Sequence, residues 1–252
     1  MINQKRESTV TFNQAEFERQ IRWMDQGTGL FEKGLGMLNQ ETLRQPSLLE
    51  GWSDALLIAH VISNARALVN LTVWAKTGIE TPMYQSNEQR AKDIEEGAAK
   101  PLSELVGEFS SSSKDLAEAI SSLTDDQLTY TVKSARGRDI PVFEIAWMRN
   151  REIWVHSVDL NVGISFSEFP LELLVALMEE VVSTFPSRQD PPQLRLIATD
   201  VARIWLTHEI PDAVSTTGSL SDLLAYMIGR SEGEGLSFST SDGSAPKVPA
   251  WL

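Results

Sequence analysis

From Phe17 onward the apolar positions Phe17, Ile21, Met24, Phe31, Leu35 and Leu38 step by three and four, with Thr28 keeping the phase. That is the period of an amphipathic helix, predicted over residues 17–38. Pro46 breaks the chain, and Ser53 is placed to cap a second helix whose stripe of Leu57, Ala67, Leu71 and Trp74 runs to about residue 76. His60 and Asn64 lie on that stripe and so face inward. The stretch with Gly78, Pro82 and the charged pair Glu95 and Glu96 reads as a loop. Beyond it, Leu102, Leu105, Phe109, Leu116, Ile120 and Leu123 repeat the helical period. Pro141 suits the first turn of a fourth helix through Ile145, Met148, Glu152 and His156 to about residue 160. Four helices joined by turns and one or two longer loops predict a four-helix bundle, whose interior commonly holds metal sites.

After Gly163 the texture changes. Residues 171–185 read as one more helix, but 194–198 and 203–207 are short and rich in branched or aromatic residues, as strands are. A strand over 214–218, a helix over 220–229 and a last strand over 236–239 follow. The predicted class is therefore α+β: a four-helix bundle over residues 1–163 and a small α/β domain over 164–252. No internal repeat is evident, and the serine run from Ser110 to Ser113 is too short for a linker.

The chemistry-bearing residues narrow this further. The chain has three histidines among 252 residues. His156 follows Glu152 by four, so on a helix both project from one face one turn apart. His60 could reach the same point from a neighbouring helix. Two imidazoles and a carboxylate leave a position open on a zinc-like ion, the catalytic rather than the structural arrangement. A single inward histidine is more often a hydrogen-bonded core imidazole, and Glu152 and His156 could pair with His60 uninvolved. Three unpaired polar groups in a bundle core, however, would cost several kcal/mol. His208 has no partner at ligand spacing and reads as structural. Trp52, Trp74, Trp147 and Trp154 flank the candidate ligands in sequence and could wall a site, though each alone reads as core.

Composition excludes several functions. A net charge of -13, from 22 basic and 35 acidic residues, suits neither a phosphate backbone nor an anionic membrane. Apolar stretches are interrupted by Asn, Arg or Glu well before the ~20 residues a membrane span needs. The stretch from Met1 to Glu7 lacks the apolar core of a signal peptide, which points to a cytoplasmic protein. Cysteine is absent, so disulfides, thiolate ligands and a cysteine nucleophile are out, and thiol chemistry would need a thiol brought from outside.

Several segments together resemble a known family. Leu48 to Ser53 leading to Ile58-Ala59-His60-Val61, the run from Gly78 to Tyr84, and the run from Trp147 to Leu160 are similar to mycothiol-dependent maleylpyruvate isomerases, which belong to the DinB-like metal-binding bundles. Gly218-Ser219-Leu220, Gly229-Arg230 and the closing Pro249-Ala250-Trp251-Leu252 extend the likeness over nearly the whole chain. The resemblance implies a divalent metal, zinc, on His60, Glu152 and His156. It also implies that the C-terminal domain supplies an arginine, matched by Arg230, although Glu232 and Glu234 stand close enough in sequence to pair with it. It further implies mycothiol as cofactor and cis-trans isomerisation of maleylpyruvate to fumarylpyruvate by reversible thiolate addition, in aromatic degradation. The expected partners are a small-molecule substrate and a low-molecular-weight thiol, with no nucleic acid and no membrane, and the expected state is a monomer. A mycothiol S-transferase that stops after addition, and a non-catalytic metal-binding bundle, are the alternatives the same motifs allow.

Overall fold

In the computed structural model, which describes residues 11–208, 213–249 and 251, side-chain caps start the first helices where the polar pattern yields to the apolar one. Asn13 accepts the Glu16 amide at the head of α1 (Gln14–Leu35), and Ser53 accepts the Leu56 amide at the head of α2 (Asp54–Thr77). Gly78, at φ 68°, closes α2 in the left-handed conformation that glycine adopts without strain. Then come α3 (Asn87–Ala98), α4 (Leu102–Ser121), a single turn α5 (Asp125–Leu128), strands β1 (Thr131–Lys133) and β2 (Asp139–Pro141), and α6 (Glu144–Asp159). Helix α1 packs along α6, and α2 packs along α4 and against α6. These four form the bundle, with α3 laid on the outside of α2.

Close approach explains the pairing. A side-chain carbon at Gly27 would lie 2.6 Å from Nε1 of Trp154, so only glycine lets α1 meet α6 there. Trp154 in turn donates that N–H to the Trp23 carbonyl at 3.0 Å. Between the helices, Phe31 stacks on Phe109 with centroids 4.8 Å apart, and Leu68, Leu71, Leu116 and Ile145 are buried. By length and hydropathy α2 could cross a membrane, but 67% of its apolar window is buried within the protein, as in a core helix.

Three sequence expectations for the bundle are corrected. Residues 87–98, expected as loop, form α3; only Ile94 and Ala98 of that helix are buried, so its apolar period is too sparse to read. The first helix ends at Leu35, where the Gly36 amide closes on Glu32. The fourth helix starts at Glu144 rather than near Pro141, because Pro141 ends β2, antiparallel to β1 with Val132 opposite Ile140 on the buried side.

The chain divides into two units, Met1–Val162 and Gly163–Leu252. The second has α7 (Leu171–Thr184), β3 (Leu194–Ala198), β4 (Arg203–Leu206), β5 (Val214–Gly218), α8 (Leu220–Met227) and β6 (Ser237–Phe238). Its sheet runs β4-β3-β5-β6, with β3 and β5 parallel and the outer pairs antiparallel. Strand β3 alternates, burying Leu194, Leu196 and Ala198, and α8 packs on β3 and β5. The strand predicted over 203–207 stops one residue early, at Leu206, although the Thr207 amide still bonds the Leu194 carbonyl. The N-terminal run from Met1 to Glu7, together with Glu209, Ala250 and Leu252, lies outside the described residues.

Candidate metal centre

Helix α6 presents Glu152 and His156 one turn apart, and α2 brings His60 to them from across the bundle. His60 Nε2 lies 2.9 Å and His156 Nε2 3.2 Å from the same atom, Glu152 Oε2. The three candidate ligand atoms all fall within 4.8 Å of one another. Ligands on a tetrahedral zinc with bonds of about 2.0–2.1 Å sit about 3.3 Å apart, close to the two imidazole–carboxylate spacings of 2.9 and 3.2 Å. The imidazole rings stand edge to face, 5.2 Å apart at 82°, and Trp52 closes over His60 at 5.6 Å.

The surroundings of His156 complete this arrangement. Its Nδ1 is 2.8 Å from Oδ2 of Asp159, whose side chain is fully buried. A carboxylate there accepts a hydrogen bond from Nδ1–H and directs Nε2 toward Glu152, the outer contact that orients metal-binding histidines. Burial pushes the His156 pKa down, but the hydrogen bonds to Asp159 and Glu152 outweigh it and raise the pKa to about 9. Burial likewise pushes Glu152 up, yet the hydrogen bonds of His156 and His60 hold it well below the usual carboxylate range. Anionic oxygens that stabilise a proton on His156 would stabilise a metal ion in its place. His60 behaves differently: burial lowers its pKa despite Glu152.

Two arginines frame the cluster. Arg149 of α6 is 1% exposed and donates to the Val61 carbonyl at 2.8 Å, to Asn64 Oδ1 at 3.1 Å and to Ser113 Oγ at 3.3 Å. Inward-facing Asn64 thus serves Arg149, tying α6 to α2. Burial lowers the Arg149 pKa to about 10, partly offset by the charge of Glu152. Arg90, on α3, has Nη2 3.0 Å from His60 Nδ1 and Cζ 5.3 Å from the centre of the Tyr84 ring.

Sequence reasoning missed Asp159, Arg149 and Arg90. The spacing of Asp159 three residues after His156 could have found the first; Arg149 lies within the family-like segment but carried no separate signal. Arg90 meets His60 from a helix whose existence was not foreseen. Of the four flanking tryptophans, Trp52 touches the cluster, whereas Trp74 and Trp154 are core and Trp147 packs on Trp23 at 6.4 Å. His208 follows β4, its Nδ1 3.1 Å from Thr207 Oγ1. In the second unit Arg230 follows Gly229, at φ 76°, and donates to the Ile228 carbonyl at 2.9 Å. Glu234 accepts from the Ser231 hydroxyl at 2.6 Å and the Glu232 amide at 3.1 Å.

Comparison with known proteins extends this picture. Residues 25–161 match the family model of the mycothiol maleylpyruvate isomerase N-terminal domain. The crystal structure of a mycothiol-dependent maleylpyruvate isomerase is 33% identical and superposes with a TM-score of 0.86, covering 93% of this chain and 97% of the other. The structure of a histidine-to-alanine mutant of such an isomerase matches with the same values. Among curated proteins none matches.

Proposed function

Because this chain belongs to the mycothiol-dependent maleylpyruvate isomerase family, we propose that it converts maleylpyruvate to fumarylpyruvate with mycothiol as the thiol and zinc on His60, Glu152 and His156. The observation that carries this reading is the convergence of those three donors with Asp159 behind His156. A cis double bond cannot turn until its π component is opened, and reversible thiolate addition opens it. A chain with no cysteine must take that thiol from outside. When bound, the metal supplies Lewis-acid charge that lowers the pKa of a thiol or water beside it.

The chain's own residues do the rest. Asp159 fixes the ring of His156, and Glu152 stays ionised between the two imidazoles. Arg149, buried and cationic, raises the positive potential around the cluster and so favours an anionic reactant. Trp52 covers one edge of His60 and limits water there. Arg230, in the second unit, is assigned to a substrate carboxylate, which a guanidinium binds through two parallel hydrogen bonds. The protein acts in this reading as a cytoplasmic monomer on small molecules, and its charge of -13 supports the absence of nucleic-acid and membrane partners.

The test is an ultraviolet assay of zinc-loaded protein on maleylpyruvate, with and without a catalytic amount of mycothiol. Conversion that needs the thiol and returns it intact is expected. Consumption of mycothiol in step with substrate would make the protein an S-transferase, and no conversion would leave a binding protein. Arg230→Ala should keep its zinc and lose roughly 100-fold in turnover; an unchanged rate would move the carboxylate role elsewhere.

A further inference from the structure

Arg90 is a half-buried guanidinium without a carboxylate partner among the described residues. That is unusual in a chain with 35 acidic residues. Arg66, on the wall of the same cavity, pairs with Glu108 at 3.0 Å. Asp93, three residues on along α3, accepts instead from Gln89 at 2.7 Å. Arg90 faces the neutral ring nitrogen of His60 and the face of Tyr84, and it lines a cavity of about 590 Å³ with Ser63, Asn70, Tyr84 and Gln89. The carboxylates that line the cavity are engaged elsewhere, Glu108 by Arg66 and Lys100, Glu96 by Lys92 and Asp93 by Gln89, so an anion entering the cavity would give Arg90 the carboxylate partner it lacks.

The hydrogen-bond chemistry of His60 adds a second argument. A guanidinium only donates, so Nδ1 of His60 accepts from Arg90 and the ring proton resides on Nε2, toward Glu152. To ligate through Nε2 the neutral ring must carry its proton on Nδ1 instead, and two donors then face each other at 3.0 Å. Metal ligation by His60 and the Arg90 contact are therefore mutually exclusive. With a metal on His60, the Arg90 Nη2 donor that now meets Nδ1 would be free for another acceptor, while Arg90 stays beside Tyr84.

From this we infer that Arg90 binds a carboxylate of the substrate, and that metal loading of His60 releases it to do so. The inference rests on the metal reading above and adds a binding residue within the first unit, separate from Arg230. A guanidinium also suits the ligand better than lysine would, because its fork matches both carboxylate oxygens.

The experiment is calorimetric titration of maleate, a cis dicarboxylate, into zinc-loaded and zinc-stripped protein in the absence of any thiol. Maleate should bind the zinc-loaded protein at least about tenfold more tightly than the stripped one. Arg90→Gln should weaken binding to the loaded protein about 10- to 100-fold, the range of a charged hydrogen bond. Zinc content should stay at the wild-type level, and Arg90→Lys should recover part of the affinity. In the isomerase assay the same variant should raise KM for maleylpyruvate more than it lowers kcat, leaving KM for mycothiol unchanged. Equal maleate affinity in wild type and both Arg90 variants would overturn the inference even if isomerisation is found. Arg90-dependent maleate binding in a protein without isomerase activity would uphold it while the proposed reaction fails.

Discussion

The two imidazoles of the donor cluster are held in opposite ways. His156 takes its orientation from its own helix: Asp159, one turn on, accepts a hydrogen bond from its Nδ1–H at 2.8 Å and aims Nε2 at Glu152. His60 takes its orientation from elsewhere, through Arg90 on a helix that packs outside the bundle. The first arrangement suits a ligand before any cation arrives; the second favours the tautomer a ligand cannot use. The α6 half is thus preorganised, and the α2 half can adjust, which lets metal arrival be felt at a substrate-facing residue. Gly97 keeps that link short, since a side-chain carbon there would meet Ala59 at 2.9 Å and push α3 off α2.

The largest effect should come from removing the adjustable ligand altogether. His60→Ala leaves one imidazole and one carboxylate, too few for a stable catalytic zinc. Zinc content and turnover should fall together to background, read by atomic emission and the isomerase assay. Full activity in stripped protein would refute the metal mechanism, and tight zinc in His60→Ala would make His60 a bystander of an α6-only site.

Next in size is the tie between the halves. Arg149→Met removes the cation that bonds Val61, Asn64 and Ser113 and leaves those acceptors unpaired in the core. A loss of about 3 kcal/mol in urea unfolding is expected. A change below about 1 kcal/mol would mean that the halves hold together through apolar packing alone.

A smaller effect should fall on one half only. Asp159→Asn keeps the shape behind His156 but removes the charge, and zinc affinity should drop 10- to 100-fold by chelator competition. Arg90→Gln should not weaken zinc at all, because Arg90 opposes ligation rather than supporting it. Equal losses in the two variants would erase the distinction between a preorganised and an adjustable half.

How far these features were legible in the sequence follows the same division. Helix α4 carries a one-sided apolar stripe and α2 is apolar on most faces, and on α6 Glu152 and His156 sit at a spacing a helix makes unambiguous, so the α6 half could be read directly. Helix α3 buries only Ile94 and Ala98, and β1 and β2 contribute Val132 and Ile140 as single inward positions. Elements with so few inward residues leave no period to detect, since their place is set by tertiary contacts. Arg90 meets His60 across 30 residues of sequence, and no local spacing announces such a pair.

The last prediction lies at the start of α2 and depends on pH. Asp54 is 3% exposed, and its Oδ1 has no hydrogen-bond partner among the described residues. Burial raises its pKa from 3.8 to about 7. A carboxyl raised in the folded state favours folding while protonated, so stability falls as pH climbs from about 3.8 toward about 7 and then levels off. Asp54→Asn removes the ionisation, so the variant should gain more stability over wild type at pH 8 than at pH 5, read as the difference in urea midpoint. A gain of the same size at both pH values would mean that Asp54 is solvated or paired on folding in solution. The α2 half would then be as settled at its helix start as the α6 half is at its ligands.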